Sequence, residues 1–211
     1  MKNYIRGKFI TFEGCDGCGK STQLKMFADY LSANKIPHIF TGGPGGGKIS
    51  ECIREIILDG RNGEMTDECE ALLYAAARVQ QIHDRVEPAL KEGKIVICDR
   101  YIDSSFAYQA YARGLGFDFI ADINSYAVKN YLPDLTIFID LSPEEAFSRK
   151  HGADENDRME QAGTEFHMRV YEGYKKLLKE YPDRIRAVDG RKTPNEVFEE
   201  ILSALKEKCC L

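Results

Sequence analysis

A single α/β domain is the fold class this chain predicts: a five-stranded parallel sheet flanked by helices, with a short lid. Three observations carry it. Short apolar runs alternate with longer segments of helical periodicity. The run at 95–98 is continuously apolar, as strands covered on both faces are, and 135–141 reads as another strand of that buried type. The 211 residues hold no repeat, low-complexity tract or linker, and that length suits one substantial core.

In chain order, residues 9–12 read as a strand and Leu24, Phe27, Ala28 and Leu31 mark the helix after it. A short strand at 38–41 ends in the glycine-rich run 42–47, which matches G-x-x-x-x-G-K up to Lys48. Ile49 then offers no hydroxyl, so the run reads as a turn lining the same cleft as the first glycine loop. Ile49, Ile53, Ile56 and Ile57 follow at helical spacing and bring Arg54 toward that cleft. Residues 67–91 predict one long helix with a buried stripe of Leu72, Ala76, Val79, His83, Val86 and Leu90. His83 on that stripe reads as a hydrogen-bonded core histidine. Tyr74 and Arg78, four apart on the other face, either lie in solvent or stack on and hydrogen-bond a flat base together. After the strand at 95–98 come helices near 103–111 and 117–131, the strand at 135–141, and a helix start at Ser142-Pro143-Glu144-Glu145. The polar stretch between Arg149 and Arg158 is either a solvated loop or a lid carrying cations. A long helix to Tyr181, an alternating edge strand at 184–188 and a helix through Val197, Ile201 and Leu205 close the chain.

The chemistry concentrates between Gly14 and Thr22. Gly14-Cys15-Asp16-Gly17-Cys18-Gly19-Lys20-Ser21 fits G-x-x-x-x-G-K-[ST], a strand-to-helix turn whose backbone N–H groups cradle a polyphosphate. Lys20 adds charge near the β- and γ-phosphates, the Ser21 hydroxyl suits Mg²⁺, and the helix start adds its dipole. Asp99 and Arg100 stand at the carboxyl end of a buried strand, where ligands gather in open parallel sheets. They read either as a strand-end salt bridge or as a water-mediated Mg²⁺ ligand beside a phosphate-neutralising base.

Composition narrows the rest. A formal net charge of −5 argues against a general nucleic-acid binder, and no apolar run reaches membrane-spanning length. Seven scattered cysteines suggest a reducing compartment, and a cytoplasmic enzyme is expected. Cys15-x-x-Cys18 lacks the further ligands a zinc site needs. It reads as small side chains tolerated by the loop, with thiols made oxidation-sensitive by nearby amides as the alternative.

Over nearly its whole length the chain resembles the thymidylate kinases, nucleoside monophosphate kinases of the P-loop NTPase fold. The resemblance rests on Phe12-Glu13-Gly14-x-Asp16-Gly17-x-Gly19-Lys20-Ser21-Thr22-Gln23 and above all on the run from Asp99-Arg100-Tyr101 through Ser104, Ser105, Tyr108 and Gln109. It implies one domain over 1–211, with the phosphate loop at 14–21 and the lid at about 149–160. It also implies transfer of the ATP γ-phosphoryl group to dTMP with Mg²⁺ held at Ser21 and Asp99, no nucleic-acid or membrane partner, and a homodimer formed through helix faces. Lys20, Arg100, Arg149 and Arg158 take catalytic roles by that resemblance. ATP falls to residues 14–22 and to Arg149, which matches a residue packing on adenine. The acceptor falls to Asp16, Arg54, Tyr74, Arg78, Arg100, Ser104, Ser105, Tyr108 and Gln109: Tyr74 stacks on thymine, Arg78 reads its edge, and Tyr108 sits near the sugar. Gly17 stands where some members carry an arginine, and members with glycine there look to a basic lid, which Arg149, Lys150 and Arg158 fit. In one place the chain departs: where the family usually reads T-R-E-P-G-G-T, residues 41–47 lack the arginine, the glutamate and the second threonine.

Overall fold

The structure, a computed structural model, describes residues 6–43, 45–149 and 157–209. Five strands, β1 (Phe9–Glu13), β2 (His38–Gly42), β3 (Ile95–Asp99), β4 (Leu135–Asp140) and β5 (Ile185–Asp189), form one sheet in the order β2-β3-β1-β4-β5. Every pairing is parallel, with Phe9 beside Val96 and Ile10 beside Leu135 across the centre. The sheet is the one the apolar runs predict, and β5 is an edge strand as its alternation requires.

Strand side chains alternate between two cores. Phe9, Val96, Cys98 and Phe138 face α3 (Asp67–Gln81), α5 (Ile102–Ser105), α6 (Phe117–Ile123) and α9 (Thr164–Glu180). Ile10, Phe12, Ile97, Ile137 and Ile139 face α1 (Lys20–Ala33) and α10 (Pro194–Cys209). The central strands are therefore buried on both faces, and β2 and β5 form the edges of the sheet. Because β1 lies between β3 and β4, the order of connections reverses there, and a crevice opens beyond its carboxyl end.

The helix expected at 67–91 is interrupted. The α3 helix gives way to a π-helical turn, Ile82–Val86, before α4 (Glu87–Lys91). The inward side carries Ala71, Ala75, Arg78, Gln81, Ile82, Val86 and Leu90, so the expected stripe holds only at its end. Leu72 is 51% and Val79 42% exposed, Ala76 is exposed, and His83 lies at the surface against Asp84, not in the core. Two physical reasons account for the correction. A π turn inserts an extra residue and shifts the phase of a 3.6-residue pattern, and polar residues occupy the inner face of α3 because that face walls a pocket. A second π-helical stretch, Phe106–Ala112, extends α5, and the helix expected at 117–131 breaks at Asn124 into α6 and α7 (Ser125–Asn130).

Candidate active site

Gly14, Gly17 and Gly19 all have positive φ, and Gly19 caps α1 in the left-handed region. The positive φ values let the loop turn tightly into α1, whose first-turn N–H groups have no acceptor within the helix and suit an anion. Lys20, 7% exposed, donates from Nζ to the carbonyls of Gly14 and Cys15, each at 3.1 Å, and stands 3.8 Å from Asp16. Cys15 and Cys18 are buried in the core on the α1 side, and burial pushes the Cys15 thiol up to about 12. Desolvation outweighs the nearby cations, which favours Cys15 as a small side chain tolerated by the loop over the oxidation-sensitive alternative.

A cleft of about 500 Å³ opens over this loop, lined by Asp16, Lys20, Ser21, Thr22, Glu51, Arg54, Asp99, Arg100 and the glycines at 42, 43 and 45. The glycine-rich run thus lies in the same cleft as the phosphate loop. Gln81 holds it by donating to Thr41 Oγ1 at 2.9 Å and to the Gly42 carbonyl at 2.7 Å, and Gly43 N–H donates to the Asp99 carbonyl at 2.7 Å. Glycine is required at 43, because a Cβ there would sit 2.0 Å from the Arg100 carbonyl oxygen. Asp99 Oδ1 is buried and meets no hydrogen-bond donor among the described residues. Together with the exposed Ser21 hydroxyl in the same cleft, it suits a divalent cation.

Arg100 sits where this cleft meets a second, of about 140 Å³, and Asp16, Gly43 and Arg54 line both. Arg100 has φ +63 although it is not glycine, a strained backbone held by its N–H to the Phe12 carbonyl at 3.0 Å. Its guanidinium donates to Asp16 Oδ1 at 2.7 Å and to the Tyr174 hydroxyl at 3.2 Å, and covers the Tyr108 ring.

Tyr74, Arg78, Ser104, Ser105, Tyr108 and Gln109 line the smaller cleft. Arg78 is 2% exposed and donates to Asn124 Oδ1, to Ser105 Oγ at 2.7 Å and to the Tyr101 carbonyl at 3.2 Å. Burial lowers its pKa, and Arg78 Nε meets no partner among the described residues. Gln109 donates to the buried Glu70 at 2.8 Å, and Glu70 also takes Arg113 at 2.9 Å and Arg158. Ser104 donates to Glu13 Oε2 at 2.6 Å. Burial raises Glu13 first, the neighbouring Asp103 adds to it, and the same desolvation pushes the phenols of Tyr74 and Tyr108 up.

The two lid arginines stand apart from these clefts. Arg149, at the end of α8 (Pro143–Arg149), donates to the Gly190 carbonyl at 2.8 Å. Arg158 is tied to the Ile57 carbonyl at 3.1 Å and to Glu70, and lines neither cleft. The stretch 150–156, with Lys150, lies outside the described residues, as does residue 44 of the glycine-rich run. Glu13, Glu70, Gln81, Asn124 and Tyr174 are supporting residues that the sequence reading missed. Only Glu13 left a trace there, inside the motif on which the family resemblance rests.

A glycine cradle at the carboxyl edge of a parallel sheet, next to a second pocket that shares its arginines, defines a P-loop phosphotransferase. Residues 12–201 match the family model described as Thymidylate kinase. The chain is 49% identical to the thymidylate kinase of Clostridium novyi (strain NT), over 95% of this chain and 99% of that protein. It is 46% identical to that of Bacillus velezensis, over 96% and 97%, and 44% identical to that of Thermoanaerobacter sp. (strain X514), over 96% and 99%. The chain belongs to the thymidylate kinase family.

Proposed function

We propose that this chain transfers the γ-phosphoryl group of ATP to dTMP, giving dTDP and ADP. The observation that carries this reading is the meeting of two clefts at Asp16, Gly43, Arg54 and Arg100, with Tyr74 and Arg78 in the smaller one. ATP lies with its phosphates in the loop 14–21 and its base toward Arg149, while dTMP fills the smaller cleft. Tyr74 stacks on thymine, Arg78 reads its edge, and Ser104, Ser105, Tyr108 and Gln109 enclose the nucleoside. Arg54 and Arg100 hold the acceptor phosphate.

A phosphate monoester is already ionised at neutral pH, so the reaction calls for no general base. What remains is to align two anions that repel each other and to neutralise the transferring group. Lys20 releases the carbonyls of Gly14 and Cys15 to meet the donor phosphates, Arg100 bridges donor and acceptor, and the lid brings Arg149 and Arg158. The orphaned Asp99 Oδ1 and the Ser21 hydroxyl are the residues to hold Mg²⁺. When bound, that ion shields the β- and γ-phosphate charges.

The protein is cytoplasmic and homodimeric in this reading. Ile49 and Ile56 on α2 (Lys48–Leu58), and Leu72 and Val79 on α3, are exposed apolar side chains spaced seven apart on helices that pack together, which supports a helix-face interface. Isothermal titration tests the pocket assignment. Arg78→Ala is expected to weaken dTMP binding at least tenfold while leaving ATP binding within about twofold. Equal weakening of both would contradict it.

A further inference from the structure

Tyr174 is a core residue whose ring alone would satisfy the packing: it is 3% exposed and stacks on Phe138 at 5.2 Å between centroids, with 23° between planes. Its hydroxyl nonetheless sits among three polar groups, from Glu13, Arg100 and Ser104. It donates to Glu13 Oε2 at 2.7 Å, lies 2.8 Å from Ser104 Oγ, and receives an N–H of Arg100 at 3.2 Å. Glu13 is fully buried at the end of β1, and it also takes the Tyr101 N–H at 2.7 Å, the residue directly after Arg100. A phenol carries one proton. With that proton given to the carboxylate, the oxygen toward Arg100 acts only as an acceptor, and a guanidinium acts only as a donor. Donation to a buried carboxylate also makes the phenol oxygen a stronger acceptor.

We propose that Tyr174 is a positioning residue for the phosphoryl transfer, its hydroxyl anchored on Glu13 so that one guanidinium nitrogen of Arg100 is fixed while the other is held by Asp16. Arg100 then meets both phosphates without a search over rotamers, and its strained backbone is fixed from the same carboxylate through Tyr101. The inference rests on the function proposed above and adds to it a residue that lines neither cleft.

The test is a double-mutant cycle on the full chain, with kcat and both KM values read in a coupled ADP-release assay. Tyr174→Phe keeps the ring and is expected to lower kcat/KM for dTMP about tenfold, with dTMP KM raised and ATP KM unchanged. A merely structural role would lower the active fraction and so kcat alone. In an Arg100→Lys background the same change is expected to cost less than about twofold, because nothing is left to position. Glu13→Gln, read the same way, supplies a second variant should Tyr174→Phe fold poorly. An undiminished Tyr174→Phe enzyme, or an equal loss in both backgrounds, overturns the proposal while wild-type turnover of dTMP leaves the proposed function standing. A wild type without dTMP turnover overturns both.

Discussion

Arg100 concentrates the energetics of the site. A non-glycine residue in the left-handed region costs about 1–2 kcal/mol, and here it persists because Phe12, Asp16, Tyr174 and the close approach of Gly43 fix the residue from several directions. Arg100→Gly is therefore expected to retain or raise the melting temperature while turnover falls by orders of magnitude; a protein that melts well below wild type would contradict the strain. Gly43→Ala is the converse. Its Cβ would meet the Arg100 carbonyl at 2.0 Å, so the strand end must shift. About 1–3 kcal/mol of stability is expected to go with it, read by urea unfolding, along with most of the activity. Lys20→Ala is expected to cost about two to four orders of magnitude in kcat by analogy with other preorganised charge contacts, measured under saturating ATP and dTMP. At this scale the sequence was most legible in Gly14–Thr22, where spacing carries the chemistry, and in Asp99–Gln109, where the family resemblance does. It was least legible in Glu70 and Tyr174, whose roles come from partners 88 and 74 positions away.

Elements were legible where their apolar pattern had one cause. The strands buried on both faces read directly as apolar runs. The α3 helix did not, because one side walls the smaller cleft with Tyr74 and Arg78 while the other bears Leu72 and Val79. Charging that outer face tests its assignment. On the proposed homodimer, Leu72→Lys with Val79→Lys is expected to leave the secondary structure intact and to give monomers by light scattering where the unaltered chain gives dimers; a variant as dimeric as the unaltered chain would contradict the interface. His167 on α9 is buried among Phe147 and Phe166, and burial lowers its pKa below the usual histidine value. The unfolded chain therefore takes up a proton that the folded one resists. The stability this residue contributes is complete above about pH 6.5 and is lost as pH falls below it, toward the lowered folded pKa. Thermal melts at pH 7.5 and 5.5 are expected to differ less for His167→Gln than for wild type; an equal difference would contradict the assignment.

Across the whole molecule the sheet order sets the chemistry in place. With β1 central, the phosphate loop after β1, the glycine run after β2 and Asp99-Arg100 after β3 all open on one edge, so two clefts share their cations there. In the glycine-rich run after β2, Gly42 is held by Gln81 and Gly43 lies against β3 and Arg100, and Gly42, Gly43 and Gly45 stand in the wall of the cleft. Alternating strands and helices made that architecture readable. What remained unreadable were the two π turns and the Asn124 break, because each depends on packing from outside its own segment. The most direct measurement is ADP release from Mg-ATP with dTMP, dUMP, dCMP, dGMP, UMP and thymidine offered separately. Turnover strongest with dTMP is the expected result, and turnover confined to another acceptor, or ATP binding without turnover of any, would contradict the account.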